Sequence, residues 1–228
     1  MKTVKLLFLF LIIISFKPME TSPIRYVALG DSYTICTGAT EAESWPTLLT
    51  EHLKNNLPAG QAGKINIELI ANPSHNGWTT QNLIDNEFPI LDKSKATFVT
   101  LLIGVNDWVQ GVDAITFQKN LVKIIEHTQQ QLSDKSKLLL ITIPDFGITP
   151  TGAHYSGGRD ISKGIAEFNK IIMEEAKKRN LKTVDIFEKS KEMGKDNSLI
   201  AGDGLHPSSK EYAVWETLIY PVAFQLLK

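Results

Sequence analysis

Apolar positions along the chain fall into two rhythms. Short unbroken runs end abruptly at a glycine, a proline or a polar residue. They are Arg25 to Leu29 before Gly30, Ile65 to Ile70 before Asn72-Pro73, Ala96 to Ile103 before Gly104, and Leu138 to Ile143 before Pro144. Thr183 to Phe187 is a fifth, weaker run. Runs without polar alternation predict parallel strands covered on both faces. Between them, apolar residues recur every three or four positions, which predicts amphipathic helices. Trp45, Leu48, Leu49 and Leu53 share one face, behind Ser44 as a cap and Pro46 in the first turn, where a missing N–H costs little. Ile115, Leu121, Val122, Ile125 and Leu132 mark a second helix, and Ile161, Ile165, Phe168, Ile172 and Ala176 a third. Tyr212, Trp215, Ile219, Val222 and Leu226 mark a last one, which Pro221 is expected to kink or interrupt.

Strand and helix patterns alternate, so the fold class is α/β, with a mostly parallel sheet between two helix layers. Ligands of such folds bind outside the carboxyl ends of the strands. The chain has 228 residues, enough for one well-buried domain and short for two. No internal repeat or low-complexity linker divides it. Residues 149–159, rich in Gly, Ser and Thr, read as a loop near the site.

The N-terminal segment stands apart from this pattern. Lys2 and Lys5 precede an apolar run from Leu6 to Phe16, too short to span a bilayer and of the length of a secretory signal. Residues 1–19 are therefore read as an export signal and 20–228 as the folded domain. The protein is expected to be periplasmic or secreted. No clear small-x-small cleavage site follows the run, so an uncleaved N-terminal anchor, and membrane contact through that segment alone, is the alternative.

Charge and cysteine content remove some function classes. Lys plus Arg number 24 against 25 for Asp plus Glu, and no long basic run suggests a nucleic acid partner. Cys36 is the only cysteine, so neither an internal disulfide nor a zinc site of paired cysteines is available. No metal or other cofactor is expected. The sequence contains no signal for oligomeric state.

Four polar segments carry the candidate chemistry. Gly30-Asp31-Ser32-Tyr33-Thr34 follows the first strand, and Asn72 to Thr80, containing His75, Gly77 and Trp78, follows the second. Gly104-Val105-Asn106-Asp107 follows the third, and Asp203-Gly204-Leu205-His206-Pro207 precedes the last helix. A serine hydroxyl attacks a carbonyl only when a base takes its proton, and the base is usually oriented by a carboxylate. Asp203 and His206, three residues apart, let one loop supply both. The oxyanion that forms needs donors already in place. The backbone N–H groups of Ser32 and Gly77 and the side-chain amide of Asn106 are the candidates. Each segment alone is an ordinary turn, cap or strand exit; the set, in this order at strand ends, is informative.

Taken together, the segments resemble the conserved blocks of the SGNH hydrolases, also called GDSL esterases and lipases, over about residues 25 to 210. The resemblance places the family's serine on Ser32, its glycine on Gly77, its asparagine on Asn106, and its aspartate and histidine on Asp203 and His206. It implies a three-layer α/β/α, flavodoxin-like fold with a five-stranded sheet, a Ser-His-Asp triad and no metal. Tyr33 stands where the family often has leucine. Ser44-Trp45-Pro46 and Ile143-Pro144-Asp145 look like a bacterial lysophospholipase or acyl-esterase branch. The substrate would then be a small acyl ester or an acylated lipid. A glycan O-acetylesterase would use the same residues, and a non-catalytic binding module on this fold would usually have lost one of them.

Other residues have simpler explanations. Trp78, Trp108 and Tyr155 stand near the motif loops and are candidates for a substrate-facing wall, although packing explains them equally well. His154 lies in the Gly-rich loop and could approach substrate. Asp31 and Asp107 are expected to fix loops or cap helices, and Cys36 to be a small buried thiol.

Overall fold

The computed structural model describes residues 22–55 and 65–228. The segment assigned to export, 1–19, lies outside the described residues. Five strands, β1 (Ile24–Gly30), β2 (Ile67–Ala71), β3 (Phe98–Leu102), β4 (Leu138–Ile141) and β5 (Lys182–Val184), form one sheet in the order β2-β1-β3-β4-β5. All four pairings are parallel. Nine α-helices are assigned among the described residues: α1 (Ser32–Ile35), α2 (Trp45–Asn55), α3 (Thr80–Asn86), α4 (Phe88–Ser94), α5 (Val105–Val109), α6 (Ala114–Gln131), α7 (Ile161–Lys178), α8 (Phe187–Ser190) and α9 (Ser209–Leu227). The order of strands reverses at β1, so the ends of β1 and β3 flank the topological switch point.

The predicted α/β/α layering is present. Helices α2 and α9 pack together as one layer; α6 packs against α3 and α7 in the other. Tyr26, Leu29, Phe98, Leu101 and Leu140 fill the sheet's interior. Trp45, Leu49 and Leu53 of α2 meet Tyr212, Trp215 and Ile219 of α9, all buried. In the other layer Phe117 of α6 stacks on Phe168 of α7 with ring centroids 4.2 Å apart.

Several elements differ from the expectation. Strand β2 is an edge strand and only half buried beyond Ile67, because it has a neighbour on one side alone. Ile115 points to solvent at 81 % exposure, and Phe117 takes the core position one face over. The last strand stops at Val184 because Asp185 turns the chain. Its Oδ1 accepts from Phe187 N–H at 3.0 Å and from Thr142 Oγ1 at 2.9 Å, and α8 begins there. Helix α9 is not interrupted at Pro221, one of the two outcomes expected there. Proline removes one intrahelical bond, and the buried Trp215, Ile219, Ala223 and Phe224 on either side of it hold the helix in place. The chain between β2 and β3 folds into two short helices whose periodicity was too brief to register; Thr79 caps the first by accepting from Asn82 N–H.

Candidate active site

Ser32 is the first residue of α1, immediately beyond β1. Asp31 caps this helix by accepting from Tyr33 N–H at 3.0 Å. Its other oxygen is buried without a hydrogen-bond partner among the described residues. Complete burial pushes the Asp31 carboxyl up to about 8, against the pull of the Tyr33 N–H. Behind it Glu87, also raised by burial, accepts from Gly30 N–H at 3.2 Å. The nucleophile turn thus stands on protonatable, buried carboxyl groups.

The turn carrying Asp203 and His206 is built as a closed loop. Ala201 N–H donates to His206 O at 2.8 Å, Gly204 N–H to Ala201 O at 3.0 Å, and Ile200 bridges Pro207. Gly204 has φ +70°, a conformation that a side chain disfavours, and this lets the chain reverse within three residues. Asp203 Oδ1 accepts from the N–H groups of Leu205 and His206, each at 2.9 Å. Its Oδ2 meets His206 Nδ1 at 2.6 Å. Partial burial works to raise the Asp203 carboxyl, but the hydrogen bonds from His206 and the two N–H groups outweigh it and hold the group below its ordinary value. With Nδ1 engaged, Nε2 is the imidazole nitrogen left for another partner. The ring of His206 rests against the edge of buried Tyr33, centroids 6.0 Å apart, and Tyr33 in turn lies against Trp215 at 5.8 Å.

Asn106 lies in α5, beyond β3, and donates one amide hydrogen to Trp78 O at 2.9 Å. That contact aims the asparagine and leaves its second amide hydrogen for a ligand. Gly77 O accepts from Gln110 Nε2 at 3.4 Å. No acceptor among the described residues takes the N–H of Ser32 or of Gly77. Asp107, the neighbour of Asn106, faces away and accepts from Thr80 N–H at 2.8 Å, which joins α5 to α3.

Ser32, Asn106 and His206 line one cavity of about 50 Å³. Its apolar walls are Val105, Val109, Phe146 and Leu205, and Tyr155 stands at its side. The other two aromatic candidates stand elsewhere. Trp78 is half buried and stacks on His75, centroids 5.1 Å apart. Trp108 is buried against Phe146, under the guanidinium of Arg159. Sequence reasoning overlooked Tyr33 as the support of His206, and Arg159 and Thr151 as anchors of the loop beside the cavity. Polar residues in a glycine-rich loop carry no periodicity that would single them out. Cys36 is buried at the end of α1. Among the described residues, no group of three or more His, Cys, Asp or Glu is placed to hold a metal ion.

A flavodoxin-like α/β/α sheet with a serine, a carboxylate-bound histidine and an asparagine at its switch point defines a class, and the comparisons agree with it. The sequence model of the GDSL-like Lipase/Acylhydrolase family matches residues 28–214. The chain belongs to this family and is a carboxylic ester hydrolase. Solved structures share its fold. The lipase/acylhydrolase from Enterococcus faecalis is 23% identical with a TM-score of 0.64, over 89% of this chain and 96% of that one. The acetylxylan esterase Axe2 from Geobacillus stearothermophilus is 18% identical with a TM-score of 0.67, over 89% and 95%. The psychrotrophic esterase EstA from Pseudoalteromonas sp. is 20% identical with a TM-score of 0.62, over 86% and 94%. No curated protein sequence matches the chain.

Proposed function

We propose that the protein cleaves carboxylic acyl esters through Ser32, with His206 as base and Asp203 as its orienting carboxylate. The observation that carries this is the 2.6 Å pair between His206 Nδ1 and Asp203 Oδ2, on a ring that lines the same cavity as Ser32. Ser32 Oγ attacks the ester carbonyl and its proton passes to His206 Nε2. The Asp203 carboxylate stabilises the imidazolium, and the oxyanion is held by the N–H groups of Ser32 and Gly77 and by Asn106 Nδ2. His206 then protonates the leaving alcohol, and a Ser32 acyl-enzyme remains. Water, deprotonated by the same nitrogen, releases the acid and restores the serine.

Ser32→Ala should lower hydrolysis of p-nitrophenyl acetate by roughly 10⁴-fold or more, and abolish covalent labelling by a fluorophosphonate probe. A variant that still takes the label would overturn the assignment. An acetylated sugar is the second substrate class, favoured by a cavity of only about 50 Å³. A lysophospholipid would need more room for its chain. We also infer that residues 1–19 direct export, on the strength of Lys2, Lys5 and the apolar run to Phe16.

A further inference from the structure

The connection from β4 to α7 lends Phe146 and Tyr155 to the cavity wall and is a strap tied at both ends. Its near end is fixed to the Asp203–His206 turn. Thr151 N–H and Thr151 Oγ1 both donate to Gly204 O, at 3.0 and 2.9 Å. Its far end is fixed to α5. Arg159 Nη1 donates to Trp108 O at 2.7 Å and Nη2 to Val109 O at 3.0 Å. Its guanidinium carbon lies 4.0 Å from the centroid of a Trp108 ring, and Nε returns to Ser156 O at 3.0 Å within the strap. Trp108 and Val109 end α5, where a cation is favourably placed; Trp108 O also accepts from Gly111 N–H at 3.1 Å. Between the two anchors stands Tyr155, 45 % exposed, on the wall of the cavity that Ser32 and His206 share.

The cavity beside the strap is small. Pockets for larger organic ligands span roughly 300–1,000 Å³. The space beside Ser32 and His206, about 50 Å³, is several-fold smaller and suits a short acyl group. A longer chain would have to pass Tyr155, whose backbone is held between the two anchors.

We propose that the strap of residues 151–159, latched to α5 by Arg159, restricts this hydrolase to esters of short acyl groups. Arg159 is a positioning residue for that limit and touches no reacting atom. The inference rests on the assignment of Ser32 as nucleophile. A fork of two N–H groups on adjacent carbonyls, stacked on an indole, is a role that lysine cannot reproduce.

The test compares kcat and KM for p-nitrophenyl acetate, butyrate and octanoate. The common leaving group confines the difference to the acyl side. The native protein should prefer acetate to octanoate by roughly 10-fold or more in kcat/KM. Arg159→Ala should cut that preference by about 5-fold or more, mainly through a lower KM for octanoate. Arg159→Lys should fall between the two. Tyr155→Ala should relax the preference with the latch intact, so the idea remains testable if Arg159→Ala folds poorly. A native protein that prefers octanoate, or a preference unchanged in both alanine variants, would overturn the proposal. Fluorophosphonate labelling separates the two levels. Labelling with an unchanged preference sinks the strap alone; absence of labelling in the native protein sinks the Ser32 assignment and the strap with it.

Discussion

Asp31 shows how much one position next to the nucleophile demands. It must cap α1, and it is fully buried with one oxygen unpaired. The folded protein holds its proton up to about pH 8, whereas an unfolded chain releases it near pH 3.9. Between those values the native state binds the extra proton, so stability falls as pH rises through the window. Glu87 and Asp107, both raised by burial, act in the same direction. Asparagine caps a helix as well as aspartate does and has no proton to lose. Asp31→Asn should therefore melt higher than the native protein by a margin that widens from pH 5 to pH 8. Thermal unfolding at the two values checks this, and an equal margin at both would show that Asp31 does not titrate there. The sequence indicated Asp31 as a cap; its protonation depends on burial that only the fold creates.

At the scale of elements, the site depends on how α5 is seated. Trp108 of α5 lies on α7 at Gly164, where an added Cβ would come 1.8 Å from the indole Nε1. Arg159 stacks on the ring and Phe146 packs against it in a T-shaped contact, which limits its retreat. Alanine gains about 1 kcal/mol over glycine inside a helix. Overpacking a filled site costs roughly 1–3 kcal/mol, and a contact this short lies at the upper end. Gly164→Ala should therefore lower the melting temperature, and lower kcat as well because α5 carries Asn106. A variant that melts higher with unchanged kcat would show that α5 yields to the methyl group. The helix pattern of α7 was clear from Ile161, Ile165, Phe168 and Ile172, all buried as predicted. The requirement for glycine at 164 was not, because it comes from a residue 56 positions away in the chain.

At the scale of the whole molecule, a central parallel sheet sets the distances among loops that are remote in sequence. Leu101 sits in β3 between β1 and β4 and is buried. Leu101→Ala should cost roughly 2–5 kcal/mol, about 2–4 °C of melting temperature per kcal/mol in a chain of this size. Ile115→Ala, at a side chain that is 81 % exposed, should change stability by no more than about 0.5 kcal/mol. Chemical denaturation of the two variants checks the pair. Equal losses would mean that Ile115 packs as its place in the apolar pattern suggested.

Ser32, Gly77, Asn106, Asp203 and His206 could be named from the chain alone because their segments stand in order at strand and helix ends and, as a set, resemble the family's conserved blocks. Strand runs, helix stripes and the Asp-Gly-Leu-His turn are short-range signals, set by backbone preference and by the burial of every second, third or fourth residue. The sequence by itself therefore determined the α/β order and the candidate residues. Tertiary structure alone decided that β2 is an edge, that Tyr33 backs His206, and that Arg159 ties the strap to α5 beside a cavity of about 50 Å³. Those contacts join residues tens to more than a hundred positions apart. A guanidinium or a ring takes its partner from whatever the packed sheet brings beside it, and no local pattern encodes that neighbour.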